Sequence, residues 1–236
     1  MKFFIYNFIF LFIVFISVSD AKAQQTIFNV PSTDVLDKGK IYGELDAAFK
    51  VDNGRDVRRF SSFVPRVVFG VGGNVEVGLN VVGNIQPGND STAIVPTVKW
   101  RFYQNAKKDV SIVAGTNVFI PVRNRAYRLG SYSYVNASKT LGEKTRLTAG
   151  GYVYSKNVVA AKARGGAQFG VEHTVNPTFI LAADYLTGKH ANGYFTPGVF
   201  YKPTPKVIGY FGYSIGNSGA RGGNNFFLFE VGYNFN

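Results

Sequence analysis

The chain has 236 residues, a formal net charge of +12 and no cysteine, and only 17% of its residues are charged. An ordinary soluble domain has about 25% charged residues. The lack of cysteine excludes a disulfide scaffold, a cysteine metal site, a cysteine nucleophile and a lipid-anchored lipoprotein. Hydrophobic residues make up 46% of the chain and aromatic residues 16%, and this high apolar and aromatic content excludes disorder over the full length.

The N-terminus has the pattern of a secretory signal peptide. Lys2 is followed by an apolar run from Phe3 to Val18, and the small residues Ala21 and Ala23 come next. This pattern predicts a signal peptide over residues 1–23 that is cleaved before Gln24; the alternative is a retained membrane anchor. The chain is basic, but two observations argue against a nucleic-acid partner. The protein is predicted to be exported, and its basic residues are spread along the chain rather than clustered.

The rest of the chain alternates between apolar and polar residues with a period of two, which is typical of β-strands. In the C-terminal stretch the apolar positions are Phe227, Phe229, Val231, Tyr233 and Phe235. The alternation predicts about twelve strands, with ten or fourteen as alternatives. They are expected near residues 39–50, 60–71, 75–85, 92–103, 110–123, 126–139, 144–155, 163–174, 178–187, 193–202, 207–216 and 225–235.

The connections favour an all-β transmembrane antiparallel up-and-down barrel. Tight turns such as 72–74 and 203–206 alternate with longer polar loops, which is the asymmetry of outer-membrane barrels. A soluble β-sandwich would carry a charge-rich second face, whereas here that face is mostly Gly, Ser, Thr, Asn and Tyr. The predicted organisation is a periplasmic N-terminal segment over residues 24–38 and a barrel over residues 39–236. The residues expected in an outward aromatic girdle near the periplasmic rim are Trp100, Phe102, Tyr201, Tyr233 and Phe235.

The signal sequence, the amphipathic hairpins and the ending from Phe226 to Asn236 resemble Gram-negative outer-membrane β-barrel proteins. In that group an aromatic final residue helps the barrel-assembly machinery to recognise the chain; here Phe235 is followed by Asn236. The stretch from Phe28 to Leu36, running into Gly39, is similar to small transporter-type barrels of the phenol-degradation (MetA-pathway) family. The resemblance implies an outer-membrane location, contact with the assembly machinery and passage of small solutes.

The parity of the strands assigns more basic than acidic side chains to the interior, which predicts a narrow pore with a weak preference for anions. The alternative is an ion-pair network in a barrel too narrow to conduct. No predicted loop is long enough to form a constriction or a folded plug domain. The residues predicted to line the pore are Arg66, Lys99, Arg101, Arg123, Arg128, Arg146, Arg164, Lys202, Glu44, Glu76, Glu172, Asp184 and Glu230.

A second basic set falls on the predicted outer loops, where it suits the phosphates of lipopolysaccharide. This set supports an alternative function, a non-conducting structural or surface barrel that binds lipopolysaccharide or an external partner. A solvated loop surface is the simpler interpretation of the same residues. The set consists of Arg55, Arg58, Arg59, Lys156, Lys162, Lys189 and Arg221.

The sequence gives little support for an enzyme. The chain has two histidines, and His173 is expected beside a periplasmic turn while His190 is expected in an outer loop. General-base catalysis needs the base next to a nucleophile or an activated water, and no nearby motif supplies one. Neither a phosphate-binding loop nor a metal-ligand spacing is present, so no catalytic residue, metal or cofactor is expected.

Overall fold

The structure is a computed structural model that describes residues 25–51, 59–85, 91–123, 128–217 and 225–235. The predicted signal peptide lies outside these residues. Twelve antiparallel strands form one closed barrel. They are β1 (Ile41–Lys50), β2 (Phe60–Gly72), β3 (Val75–Ile85), β4 (Ser91–Asn105), β5 (Val110–Arg123), β6 (Gly130–Leu141), β7 (Thr145–Tyr154), β8 (Gly165–Thr174), β9 (Phe179–Leu186), β10 (Tyr194–Tyr201), β11 (Val207–Gly216) and β12 (Phe226–Asn234).

Each strand pairs with its neighbours in the chain, and β1 pairs with β12 to close the barrel. Tight turns lie at one end, called here the short-turn end. The turn between β2 and β3 has φ angles of 95° at Gly72, 62° at Gly73 and 58° at Asn74. These angles lie in the left-handed region that glycine adopts most readily and asparagine tolerates, which explains the Gly-Gly-Asn sequence at this turn.

The outer surface of the barrel is apolar. Along β12 the residues from Phe226 to Asn234 alternate strictly between buried and exposed, and the exposed ones are Phe227, Phe229, Val231 and Tyr233. Trp100 and Phe102 are also exposed on the outer surface, near the short-turn end. A closed sheet with an apolar exterior pairs all its backbone groups within itself, which is what a bilayer requires. Among the described residues, no helix has the length and apolar character needed to span a membrane.

The predicted fold class and strand number are confirmed, and the alternatives of ten and fourteen strands are excluded. The largest shift concerns the sixth strand, expected at 126–139 and observed from Gly130 to Leu141. Its inward side chains include Tyr132 and Tyr134, while Ser131 and Ser133 alternate with them. The usual contrast between polar and apolar faces is therefore inverted at the start of β6, and alternation alone places its boundary poorly.

Candidate functional site: the lumen and the segment inside it

The N-terminal residues 25–36, called here the lumen segment, lie inside the barrel. Ile27 and Val30 are fully buried there. The segment forms a small loop in which the Ile27 N–H donates to the Val30 carbonyl over 2.8 Å. The chain then leaves through the short-turn end, where the Gly39 N–H donates to the Gly70 carbonyl over 2.8 Å. Residues 24–38 were expected to face the periplasm; the structure shows that most of this stretch occupies the lumen.

The tip of the lumen segment is held by one carboxylate, that of Asp184 on β9. Its Oδ2 accepts three consecutive backbone N–H groups, from Phe28 at 3.0 Å, Asn29 at 2.5 Å and Val30 at 2.7 Å. The Asn29 side-chain amide also donates to the Thr196 hydroxyl over 3.0 Å. Hydrogen bonds to an ionised carboxylate are roughly twice as strong as neutral ones. Asp184 is therefore the main polar anchor of the tip.

Apolar contacts seat the same tip against the barrel wall. The Phe28 ring packs edge-on against the ring of Phe200, with 5.3 Å between centroids. Gly198 and Gly212 lie beside this ring, and a Cβ atom at either position would press on Phe28. The two glycines thus provide the space that the phenylalanine fills. Because protein interiors are close-packed, this fit fixes the depth of the tip in the lumen.

The middle of the lumen segment is tied to β6, β7 and β8, which follow the tip-binding strand β9 around the ring. The Arg146 guanidinium on β7 bridges Asp34 at 2.7 Å and Glu172 at 2.7 Å. The Asn136 amide on β6 donates to the Pro31 carbonyl over 2.6 Å. The strands that carry Arg146 and Asp184 lie only two apart in the ring, so these contacts hold residues 28–34 against the part of the wall formed by β6 to β9.

The beginning and end of the lumen segment meet at β3 and β4. Glu76 accepts the Leu36 N–H over 2.8 Å and the Gln25 side-chain amide over 3.3 Å. Lys99 pairs with the same carboxylate at 2.9 Å. Glu76 and Lys99 are both buried. One buried ion pair therefore gathers both ends of the segment.

A separate ionic group lies where β1 closes on β12. Arg66 on β2 contacts Glu44 at 2.5 Å and Asp46 at 3.0 Å. The Tyr42 hydroxyl donates to the second oxygen of Glu44 over 2.5 Å. Glu230 on β12 stands directly opposite Asp46 in the register of the two strands. We call Glu44, Asp46, Glu230 and Arg66 the seam cluster.

The structure places many of the predicted pore-lining residues inside the barrel. Arg66, Lys99 and Arg146 each contact acidic partners there. The remaining predicted cations lie toward strand ends rather than in the middle. Among the buried charged side chains of the described residues, acidic groups outnumber basic ones; the net positive lumen, which also counts cations at both rims, stays a prediction. The predicted acids inside the barrel are Glu44, Glu76, Glu172, Asp184 and Glu230, and the cations toward strand ends are Arg101, Arg123, Arg128, Arg164 and Lys202.

The described members of the basic loop set are all exposed, and they share the end opposite the short turns. They are Arg59, Lys156, Lys162 and Lys189; Arg55, Arg58 and Arg221 lie outside the described residues.

Sequence reasoning missed the lumen segment and its anchors Asp34 and Asn29. The sequence does contain a feature that could have indicated a buried segment. Ile27, Phe28 and Val30 form an apolar group ahead of the first strand. Such a group would be unfavourable in water. The lumen segment precedes the first strand, so the lengths of the loops between strands give no indication of it.

The two histidines lie at opposite ends of the barrel, as predicted. His173 is exposed, and its Nδ1 is 2.9 Å from the Thr145 hydroxyl. His190 is buried, and its Nε2 is 3.0 Å from the Tyr152 hydroxyl. Among the hydrogen bonds of the described residues, neither imidazole contacts a carboxylate. A catalytic triad is therefore not formed at either histidine in the described part of the chain.

Burial lowers the pKa of His190 below its ordinary value of 6.5. Because the folded barrel favours neutral His190, its contribution to stability is present above about pH 6.5 and declines as the pH falls below that value. We expect an NMR titration of the refolded barrel to give a His190 midpoint below 6.5. His190→Asn should remove that signal and the matching part of the acid destabilisation. A midpoint at or above 6.5 would contradict the burial of this loop.

No protein-family model matches the sequence, and no curated protein matches it. Solved structures match it by fold. An outer-membrane channel from Pseudomonas putida F1 is 16% identical, with a TM-score of 0.58, over 86% of this chain and 98% of that chain. The NanC porin is 11% identical, with a TM-score of 0.59, over 82% and 99%. Outer membrane phospholipase A from Escherichia coli is 14% identical, with a TM-score of 0.50, over 86% and 95%. The chain therefore has the fold of outer-membrane barrels, as its resemblance predicts, and this fold serves both channels and an enzyme.

Proposed function

We propose that this barrel is an outer-membrane channel for small solutes, closed by its lumen segment and opened when that segment moves. The observation that carries the proposal is the crossing of the lumen by residues 25–36, from Glu76 on β3, which holds both ends of the segment, to Asp184 on β9, which holds its tip and lies six strands away in the ring of twelve. The fold likeness to an outer-membrane channel and a porin supports a channel in general. A side-chain ion-pair network alone would not need an additional segment to fill the lumen.

The way the segment is attached supports a movable closure. Its contacts with the wall are side-chain hydrogen bonds, ion pairs and the packing of Phe28, and the segment is not a strand of the barrel. Removing it leaves every ladder between the twelve strands intact. Glycines at 198 and 212 then leave open space where Phe28 was.

The test compares the intact chain with a variant lacking residues 25–36 in a planar bilayer. We expect the intact chain to conduct rarely or weakly, and the shortened chain to give a conductance several-fold larger. Both proteins must first show the heat-dependent shift in gel mobility that marks a folded barrel. Equal conductance in the two folded proteins would overturn the closure, and silence of both would overturn the channel.

The proposed selectivity is a weak preference for anions. It is supported by basic residues at both mouths, since a solute meets Arg101 and Lys202 at one end and Arg123, Arg128 and Arg164 at the other. A salt gradient across the shortened channel should give a reversal potential toward that of chloride. A reversal potential toward that of potassium would mean that the acidic side chains in the middle of the lumen determine the selectivity. This result would overturn the preference for anions but not the channel itself.

The proposal includes no enzymatic activity, although one barrel of similar fold is a phospholipase. The surroundings of the two histidines support the absence of activity. His190 contacts the Tyr152 hydroxyl and His173 contacts the Thr145 hydroxyl, and neither contact includes a carboxylate that would orient the imidazole. Release of fatty acid from phospholipid by the refolded protein, abolished by His173→Asn, would contradict this part of the proposal.

A second candidate is a surface barrel that binds lipopolysaccharide. It is supported by the shared position of Lys156, Lys162 and Lys189, which are all exposed at the end opposite the short turns. Arg and Lys side chains suit phosphate groups. Replacing these three lysines with glutamine should then weaken binding of the barrel to lipopolysaccharide, while the same change at Lys107 and Lys108, exposed at the short-turn end, should not. Unchanged binding in the first variant would remove this candidate.

A further inference from the structure

The seam cluster brings like charges together at the place where the barrel closes. Asp46 on β1 is the direct cross-strand neighbour of Glu230 on β12. Glu44 lies two residues from Asp46 on the same inward face. Like charges directly opposite each other destabilise a pair of strands. The seam therefore carries a repulsion that something must offset.

The hydrogen-bond partners inside the cluster leave two acidic oxygens unsatisfied. Arg66 contacts Oε1 of Glu44 and Oδ2 of Asp46, and the Tyr42 hydroxyl contacts Oε2 of Glu44. Oδ1 of Asp46 and Oε2 of Glu230 are shielded from solvent and have no hydrogen-bond partner. The Glu230 residue is only 2% exposed. A buried charged group without a partner is costly, so these two oxygens point to a missing positive partner.

The nearby cations do not supply that partner. Glu44 and Asp46 contact a single guanidinium, that of Arg66, and its Nε is also without a hydrogen-bond partner. The hydroxyl of Tyr210 lies 3.4 Å from that of Tyr42, but it carries no positive charge that could balance the acids. Elsewhere in the described lumen, Lys99 is bound to Glu76, and Arg146 to Asp34 and Glu172. Lys50, buried at the other end of β1, donates to the Asn225 carbonyl over 3.4 Å. With all three acids ionised, the cluster has an excess of about two negative charges.

We infer that Glu44, Asp46 and Glu230 form a binding site for one calcium ion. One oxygen from each of the three carboxylates lies within 4.8 Å of the other two. An ion at the centre of three such oxygens lies no more than about 2.8 Å from each, so a shift of a few tenths of an ångström in the side chains brings it to the roughly 2.3–2.6 Å of calcium–oxygen bonds. Carboxylate oxygens are the ligands that this hard cation prefers, and water completes its shell. One divalent ion also offsets the excess negative charge.

The ion joins the first strand to the last. Asp46 and Glu44 belong to β1 and Glu230 to β12, so a bound calcium bridges the two strands whose pairing closes the barrel. A ligand that binds only the folded state stabilises it by mass action. Calcium is thus expected to stabilise the closed barrel, whether or not the barrel conducts.

The test uses the intact refolded chain in detergent after treatment with a chelator. Titration calorimetry with calcium chloride should show one saturable site, and calcium should raise the temperature of the heat-dependent gel shift by several degrees over potassium chloride at equal ionic strength. Glu230→Gln should lower the calcium affinity at least tenfold. Glu143→Gln, at an exposed acid in the turn between β6 and β7, should leave it unchanged.

Glu230→Gln also removes the repulsion with Asp46, so this variant is expected to fold. If it does not, Asp46→Asn provides the same measurement from the other strand. Absence of saturable calcium binding by the folded intact chain would overturn the proposal. The proposal would also be overturned if calcium left the stability of the barrel unchanged while acidification increased it. The seam acids would then share a proton instead of binding a calcium ion.

Discussion

Replacing Asp184 with alanine is expected to free the tip of the lumen segment and to open the channel. The change leaves the three N–H groups of residues 28–30 without their acceptor. A buried donor left unsatisfied costs about 1–3 kcal/mol. Even a net loss of about 1.4 kcal/mol shifts the bound and released populations about tenfold.

The release can be measured with a single cysteine, because the native chain contains none. Val30→Cys places a thiol at a fully buried position of the segment. We expect a maleimide reagent to label this thiol at least tenfold faster in the Asp184→Ala background than in the native one. The open-channel current should rise in parallel.

Two controls separate release from general loosening. Glu143→Ala removes an exposed acid and should leave the labelling of Val30→Cys unchanged. A cysteine at Lys156, an exposed loop position, should react at the same rate in both backgrounds. If Asp184→Ala leaves the labelling of Val30→Cys as slow as before, Asp184 is not the anchor of the tip.

Replacing Arg146 with methionine is expected to destabilise the whole barrel. The Arg146 side chain contacts Asp34 and Glu172 at 2.7 Å each, and both carboxylates lose this cation in the variant. Removing one partner of a fully buried ion pair costs about 3–5 kcal/mol, because the other charge is left uncompensated, and the partly buried Arg146 should cost less than that upper range. The midpoint of unfolding in denaturant should fall markedly, measured by the heat-dependent gel shift after equilibration.

Two matched variants show whether charge is the cause. Arg128→Met removes an exposed arginine and should change the midpoint little. Adding Asp34→Asn and Glu172→Gln to Arg146→Met removes the uncompensated charges and should restore much of the lost stability. If the triple variant is as unstable as Arg146→Met alone, the loss comes from packing of the long arginine side chain and not from its charge.

Much of the barrel was predictable because strand alternation is a local signal. Each inward residue is two positions from the next, and this period holds along the strands except at a few register shifts, which lie where β2 pairs with β3 and β4 with β5. Hence β3, β5 and β11 were predicted with the bounds that the structure shows. β6 was placed less well, because the inward tyrosines at 132 and 134 invert the usual contrast between its two faces.

The lumen was harder to predict because its contents depend on distant parts of the chain. Parity indicates that Asp184 faces inward, but it does not show that this carboxylate meets the backbone of residues 28–30. That contact joins positions more than 150 residues apart. Parity also counts every inward cation alike, whereas the structure separates paired cations in the middle, such as Arg66, from those nearer the mouths, such as Arg128.

The pairing of β1 with β12 sets an order for assembly. The lumen segment directly precedes β1, the first strand to be synthesised, and the ring cannot close until β12, the last, has arrived. Bonds to Glu76, Asn136 and Asp184 mark points along the chain at which the segment gains a new contact. If the sheet curls progressively around residues 25–36, the segment is enclosed as the strands are added. It then does not have to enter a barrel that has already closed.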